Sequence, residues 1–206
     1  MTRHDMMKAV IFDWGGVLCE ETARGLISYF SKTLAVTPEA LVTAFRPFAA
    51  SFQKGLITED ELWEGMSAVL AVERPHNPSL WGEALRAIYV PKEEMFALAA
   101  AVKEKGYTVG LLSNAEMAAM HFFYEQGYGA LFDAAVFSCA EGTRKPEQRI
   151  YEIALERLSI KPHETVFIDD RADFITGAQQ LGIHTIRFES PDQVKRDLVS
   201  LSIAIE

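Results

Sequence analysis

Five short, nearly uninterrupted apolar runs punctuate the chain: KAVIFDW from Lys8, YTVGLLSN from Tyr107, DAAVFSC from Asp133, ETVFIDD from Glu164 and IHTIRF from Ile183. Each is rich in Val, Ile and Phe and bounded by polar or turn residues, which predicts buried strands. The segments between several of them repeat instead with a helical period. PKEEMFALAAAVKEKG (91–106) predicts a helix with Pro91 in its first turn, Glu93 and Glu94 at the positive end, and Lys103, Lys105 and Gly106 closing it. KPEQRIYEIALERLS sets Ile150, Ile153, Ala154 and Leu158 on one face. ADFITGAQQLG ends on Gly182. Strands alternating with helices predict an α/β fold built on a doubly wound parallel sheet.

The alternation breaks once. Residues 20–90 hold about four helical patterns and no strand: RGLISYFSKTLAV, PEALVTAFRPFAASFQKG, TEDELWEGMSAVLAV and PSLWGEALRAIY. Thr58 and Glu61 have the spacing of a capping box. The expected organisation is therefore a core from 1–19 and 91–206, with a small all-α cap over 20–90 inserted after the first strand. Trp63 and Trp81 are expected to belong to the interior of that cap.

In an open parallel sheet, ligands bind beyond the carboxyl ends of the strands. The first strand delivers Asp13, the second Ser113 and Asn114, and the fourth Asp169 and Asp170, followed by Asp173. After the third comes AEGTRKPE, with Lys145 just ahead of a helix expected to begin at Pro146. Carboxylates held together raise one another's pKa unless positive charge intervenes. A hard divalent cation such as Mg²⁺ answers that need, taking one or two carboxylates and a substrate phosphate oxygen. Lys145 and the Ser113 hydroxyl could hold the other phosphate oxygens while Asp13 attacks phosphorus. Asp173 is expected to hold a loop or Lys145, or to complement a helix N-terminus. Trp14 either walls the pocket or packs in the core, and His121 is expected on a helix surface. Glu20 and Glu21 read as solvated linker charges, and as the only nearby acids able to reach the site from the cap hinge.

Bulk properties narrow the partners. With 206 residues, 49% of them hydrophobic, the chain can bury a full core. A formal charge of -9 with no basic stripe argues against nucleic acid, and no apolar run approaches membrane-spanning length. The N-terminal MTRHDMMKAVIFDW has no small-residue cleavage site, so it is not expected to be a signal peptide. The two cysteines, Cys19 and Cys139, form neither a disulfide framework nor a zinc pattern; both are expected buried, and a cytoplasmic location fits. The seven Met and thirteen Phe single out no interface between copies.

Asp13 in FDWGGVL, Ser113 in LLSN, Lys145 in RKP and Asp169-Asp170 in FIDD together resemble the four motifs of the haloacid dehalogenase-like hydrolases, in the family's order, with the insertion matching a helical cap of the C1 type. The resemblance implies that Asp13 is nucleophile and metal ligand, that the Gly15 carbonyl and Asp170 are further ligands, and that Asp169 is a close acid of the metal shell. It implies phosphate binding by Ser113 and Lys145 and substrate positioning by Asn114; Trp14 is grouped with these substrate-binding residues only for its place next to Asp13.

Phosphatases of this family mostly carry an Asp two residues after the nucleophile, as general acid and base; here that position is Gly15. Such help is worth about 10²–10⁴-fold in rate, or roughly 3–5 kcal/mol. A subgroup similar to bacterial α-D-glucose-1-phosphatase also carries Gly there, and FQKGLITEDELWEGM and DDRADFITGAQQLGI resemble it. The expected function is thus a Mg²⁺-dependent phosphatase of small phosphomonoesters, including sugar phosphates, that favours good leaving groups. The alternatives are a pseudo-phosphatase that binds a phosphorylated ligand without turnover, motivated by Gly15, and a metal-free 2-haloacid dehalogenase, disfavoured by the acidic pair at 169–170.

Overall fold

The computed structural model describes residues 6–205. The first five residues of the N-terminal segment read above lie outside the described residues, as does Glu206. The five apolar runs form strands β1 (Ala9–Phe12), β2 (Thr108–Ser113), β3 (Ala134–Phe137), β4 (Thr165–Asp169) and β5 (His184–Arg187). They pair in parallel in the order β3-β2-β1-β4-β5. Strand order reverses at β1, so the crevice expected to take a ligand opens beside the end of β1. The register sets that crevice: Phe12 lies opposite Leu111 on β2 and Ile168 on β4. The next residue of β1 is therefore Asp13, and the next of β4 is Asp169.

Helices α1 (Ala23–Thr33), α2 (Pro38–Phe45), α3 (Ala49–Gln53), α4 (Glu59–Leu70) and α5 (Leu80–Ile88) fall between β1 and β2. Then come α6 (Glu93–Glu104), α7 (Met117–Glu125), α8 (Ser138–Glu141), α9 (Gln148–Leu158), α10 (Ala172–Gln179) and α11 (Pro191–Ser200). Successive strand residues face opposite sides. Val10 and Phe12 join one apolar cluster with Met95 and Leu98 of α6, Phe123 of α7 and Leu198 of α11. Ile11 joins the other, with Ile150 and Ala154 of α9 and Phe174 and Ala178 of α10. Burial of each such side chain contributes about 1.5–3 kcal/mol. Cys19 and Cys139 are buried and unpaired, as expected. Among the described residues no helix is long and apolar enough to cross a membrane.

Three expected boundaries shift. The helix after the insertion begins at Glu93, because residues 90–92 are used otherwise. Glu20 donates its N–H to the Val90 carbonyl at 2.9 Å, and Lys92 donates to that of Leu18, also at 2.9 Å, on either side of a Cys19–Pro91 bridge. The chains entering and leaving the insertion thus run side by side. The helix expected from Pro146 begins at Gln148, because residues 144–147 close a turn through the Glu147 N–H on the Arg144 carbonyl at 2.8 Å. PEALVTAFRPFAASFQKG divides into α2 and α3, since Pro47 has no N–H with which to continue the ladder.

The insertion has an aromatic centre, with Phe30 5.0 Å from Trp63 and 5.1 Å from Trp81, and Phe52 4.9 Å from Trp81. The Thr58–Glu61 capping box forms at the start of α4. The turn after α3 rests on α8: a Cβ on Gly55, at φ +66°, would lie 2.1 Å from the Cys139 carbonyl oxygen. Ser138 Oγ donates to the Gln53 carbonyl at 2.6 Å, and Lys54 pairs with Glu147 at 2.7 Å.

Candidate active site

The strand register brings four charged side chains together. Lys145 Nζ lies 2.7 Å from Asp13 Oδ1 and 2.7 Å from Asp169 Oδ2, and donates to the Leu112 carbonyl at 3.0 Å. Lys145 is 1% exposed and Asp169 is fully buried. Burial alone would lower the lysine's pKa; the Asp13 and Asp169 carboxylates override it and hold the ammonium above its usual range. The second oxygen of Asp169 accepts the Arg171 N–H at 2.9 Å, so both its oxygens are engaged. Asp13 Oδ1 also accepts the Trp14 N–H at 2.7 Å. Burial pushes Asp13 up to about 8; Lys145 pulls it down and Asp169 adds to the rise. Burial and Asp169 also raise Asp170.

One oxygen from each of Asp13, Asp169 and Asp170 lies within 4.8 Å of the others. Lys145 pairs with two of these carboxylates, and the Arg171 guanidinium, itself paired with Asp173, adds charge only at a distance, which leaves the cluster short of positive charge. That donor set, hard oxygens around a charge deficit, fits a divalent cation. The loop after β1 is shaped for it. Gly16 adopts φ +88°, and a Cβ there would lie 2.6 Å from Asp170 Oδ2. Lys92 Nζ holds the Gly16 carbonyl at 2.6 Å.

The other expected residues divide. Ser113 and Asn114 line the same cavity as Asp13, Gly15, Lys145 and Asp170. Asn114 spends both ends of its amide on the backbone of Lys145: Nδ2 donates to its carbonyl at 2.9 Å, and Oδ1 accepts its N–H at 2.8 Å. Trp14 is absent from that cavity wall. Its ring packs among Phe122, Phe123 and Phe137 and donates to Tyr89 Oη at 3.4 Å, and it lines a smaller pocket that shares Gly15, Ser113, Asn114 and Glu116 with the main cavity. Asp173 reaches the cavity but pairs with Arg171 at 2.6 Å, not with Lys145. His121 is exposed on α7. Glu21 lines the cavity while accepting the Ala23 N–H at 2.8 Å. Trp63 is buried in the insertion as expected, whereas Trp81 is also a cavity wall.

The sequence reading missed Glu116, Gln53 and Arg144, all of which line the cavity. Glu116 is 8% exposed, and burial pushes its pKa up to about 7. Gln53 Nε2 approaches it at 3.5 Å, and Gln53 Oε1 accepts from Arg144 Nη1 at 2.6 Å. An acid preceding a helix reads as a dipole partner, so nothing in the spacing of Glu116 marks burial. Glu116 enters from the loop after β2 and not from the cap hinge, where Glu21 lines the cavity. Gln53 enters from the insertion, where helical periodicity records only the apolar face.

The chain matches the family model "haloacid dehalogenase-like hydrolase" over residues 7–182. It is 30% identical over 209 residues to mouse acyl-CoA dehydrogenase family member 10, covering 94% of this chain and 19% of that protein. It is 29% identical to rat bifunctional epoxide hydrolase 2, covering 93% and 38% respectively. The chain thus spans well under half the length of these two relatives. The sesquiterpene phosphatase astK of Aspergillus oryzae (strain ATCC 42149 / RIB 40) is 26% identical, with 85% of this chain and 87% of that protein covered. The HAD family enzyme bt-2542 of Bacteroides thetaiotaomicron superposes with a TM-score of 0.76 at 24% identity, over 89% of this chain and 94% of that one; this likeness shows the fold. The family match runs from the approach to β1 to the end of α10 and so takes in every strand end that lines the crevice: the chain belongs to the haloacid dehalogenase-like hydrolase family.

Proposed function

We propose that the protein is a Mg²⁺-dependent phosphatase acting on small phosphomonoesters through an aspartyl-phosphate on Asp13. The observation that carries this reading is the joint placement of Asp13, Asp169, Asp170 and Lys145 at the switch point of the sheet, with the Lys145 ammonium paired to two of the three carboxylates. Asp13, Asp170 and the Gly15 carbonyl would hold the ion, with Asp169 behind them fixing Lys145. A bt-2542 complex holds magnesium and inorganic phosphate, which supports the same cofactor here. When bound, the ion supplies positive charge to the carboxylates and to the phosphoryl oxygens.

The chain's own part follows from its geometry. The Trp14 N–H and Lys145 both engage Asp13 Oδ1, which leaves Oδ2 free to attack phosphorus. Lys145 and Ser113 would bind phosphoryl oxygens, and Asn114 would hold Lys145 in place. Attack forms a new P–O bond to Asp13 and breaks the ester P–O bond. The departing alkoxide takes its proton from solvent, since Gly15 supplies none. Water then attacks phosphorus, releases phosphate and restores Asp13. The helices of residues 20–90 would act as the cap over this step.

The test is phosphate release from p-nitrophenyl phosphate, with Mg²⁺ and with EDTA, for the native chain and Asp13→Asn. Turnover that needs the metal and vanishes in Asp13→Asn is expected. Turnover that persists in either condition, or that is absent altogether, overturns the reading; the last result favours the binding-only alternative motivated by Gly15.

A further inference from the structure

The cavity above Asp13 has a volume of about 420 Å³, within the range that takes a small organic ligand. Its two ends differ in chemistry. The floor carries Asp13, Ser113, Lys145 and Asp170; the insertion supplies Glu21 and Thr22 where it leaves the core, and a roof of Leu26, Ile27, Phe30, Leu41, Phe45 and Trp81. The only polar atom among those six side chains is the indole nitrogen of Trp81. Between floor and roof stand Gln53, Glu116 and Arg144, and these already engage one another.

We infer that the preferred substrates are monophosphate esters of neutral, apolar alcohols, whose hydrocarbon part lies against the roof while the phosphate sits at the strand ends. This rests on the phosphatase reading of the floor. A sugar placed against the roof would turn several hydroxyls toward side chains that offer one indole N–H between them, and each buried unpaired hydroxyl is costly. A cationic head group fares no better. Arg144 stands at the waist of the cavity, and Glu116, pushed up to about 7, offers no full negative charge at neutral pH. An alkyl or isoprenoid chain asks only for apolar contact, and the roof provides it.

The test compares kcat/KM for ethyl, butyl and octyl phosphate, each below its micellar concentration, with glucose 1-phosphate and phosphocholine. Burying one methylene contributes about 0.8 kcal/mol, roughly fourfold in kcat/KM. Octyl phosphate is therefore expected to exceed ethyl phosphate by at least about 100-fold. Ile27→Asp, which sets a charge in the roof, should cut that octyl-to-ethyl ratio at least about tenfold. A flat series, an unchanged ratio in Ile27→Asp, or glucose 1-phosphate or phosphocholine as the best substrate overturns the inference. In those cases turnover of p-nitrophenyl phosphate still upholds the phosphatase reading. Calorimetric titration of ethyl- and octylphosphonate, which cannot be hydrolysed at the P–C bond, separates the converse. Tighter binding of the octyl compound with no ester turned over upholds the apolar site and removes the phosphatase reading; equal binding of the two overturns the apolar site.

Discussion

Gly16 and Asp170 meet so closely that neither can be described alone: a Cβ on Gly16 would lie 2.6 Å from Asp170 Oδ2. The glycine is doubly required, by its φ of +88° and by this approach. Gly16→Ala is expected to cost about 1–2 kcal/mol in backbone strain. It should also lower kcat/KM by about 10²-fold, because a displacement of about 1 Å in a positioned group has that effect. Gly182→Ala is the control. It has similar strain, φ +79° with open space around its Cβ, and lies outside the site. Thermal melts and p-nitrophenyl phosphate kinetics of the pair should show similar melting losses but a loss of activity only in Gly16→Ala.

Lys145 is the single cation buried between Asp13 and Asp169. Lys145→Met leaves two buried carboxylates facing each other and should destabilise the protein by about 3–5 kcal/mol. At about 2–4 °C per kcal/mol for a chain of this size, the melting temperature in EDTA should fall on the order of 10 °C. Adding Asp169→Asn removes one of the two charges, and the double variant should recover part of that loss. Recovery of none would mean that the lysine stabilises by packing alone.

Glu116 should make stability fall with rising pH. Its folded pKa, about 7, lies above the ordinary carboxyl value of 4.5. Below pH 4.5 both states are protonated and it contributes nothing. Between 4.5 and 7 the unfolded chain ionises first, so the native state loses stability progressively, and above 7 the penalty is complete. Its size is about 3 kcal/mol. Glu116→Gln removes the titration. The melting temperature of the variant minus that of the native chain should be lowest near pH 4.5 and rise to a plateau above pH 7. A difference that does not change with pH would show that Glu116 titrates alike in the folded and unfolded chain.

Gly15 lacks the acid carried by most phosphatases of the family, yet among the described residues, its chain neighbours aside, no atom lies within 4 Å of the place its Cβ would occupy. The absence is therefore not imposed by crowding. Gly15→Asp should fold and should raise kcat for alkyl phosphates by about 10²-fold or more, the low end of general acid–base catalysis. It should do much less for p-nitrophenyl phosphate, whose leaving group needs no proton. Equal effects on both esters would assign the added carboxylate another role.

The sheet was legible because strands buried on both faces carry continuous apolar runs, as AVIF in β1 and TVFID in β4 do. The floor of the site followed, since the carboxyl end of a strand fixes its next residue; Asp13 and Asp169 sit where their sequence positions place them. Local signals were less complete where distant chain intervened. Pro91 and Pro146 look like helix starts, but a backbone ladder with residues 18–20 claims the first, and a turn braced by Asn114 claims the second. Trp14 reads equally as pocket wall or core, and only tertiary contacts show that it does both, packing on Phe122, Phe123 and Phe137 while lining a small pocket with Ser113 and Asn114. The roof was not legible at all. Apolar periodicity says that Leu26, Phe30, Leu41 and Trp81 face inward in their own helices, but not whether inward means a packed core or the wall of a cavity. Nor does it show that Glu116 and Gln53, 63 residues apart, meet at its waist. The sequence by itself determined the strands, the insertion and the charged strand ends, because these depend on local pattern. The tertiary structure decided the charge balance, the pKa of Glu116 and the apolar roof, because desolvation and enclosure depend on neighbours brought together from distant parts of the chain.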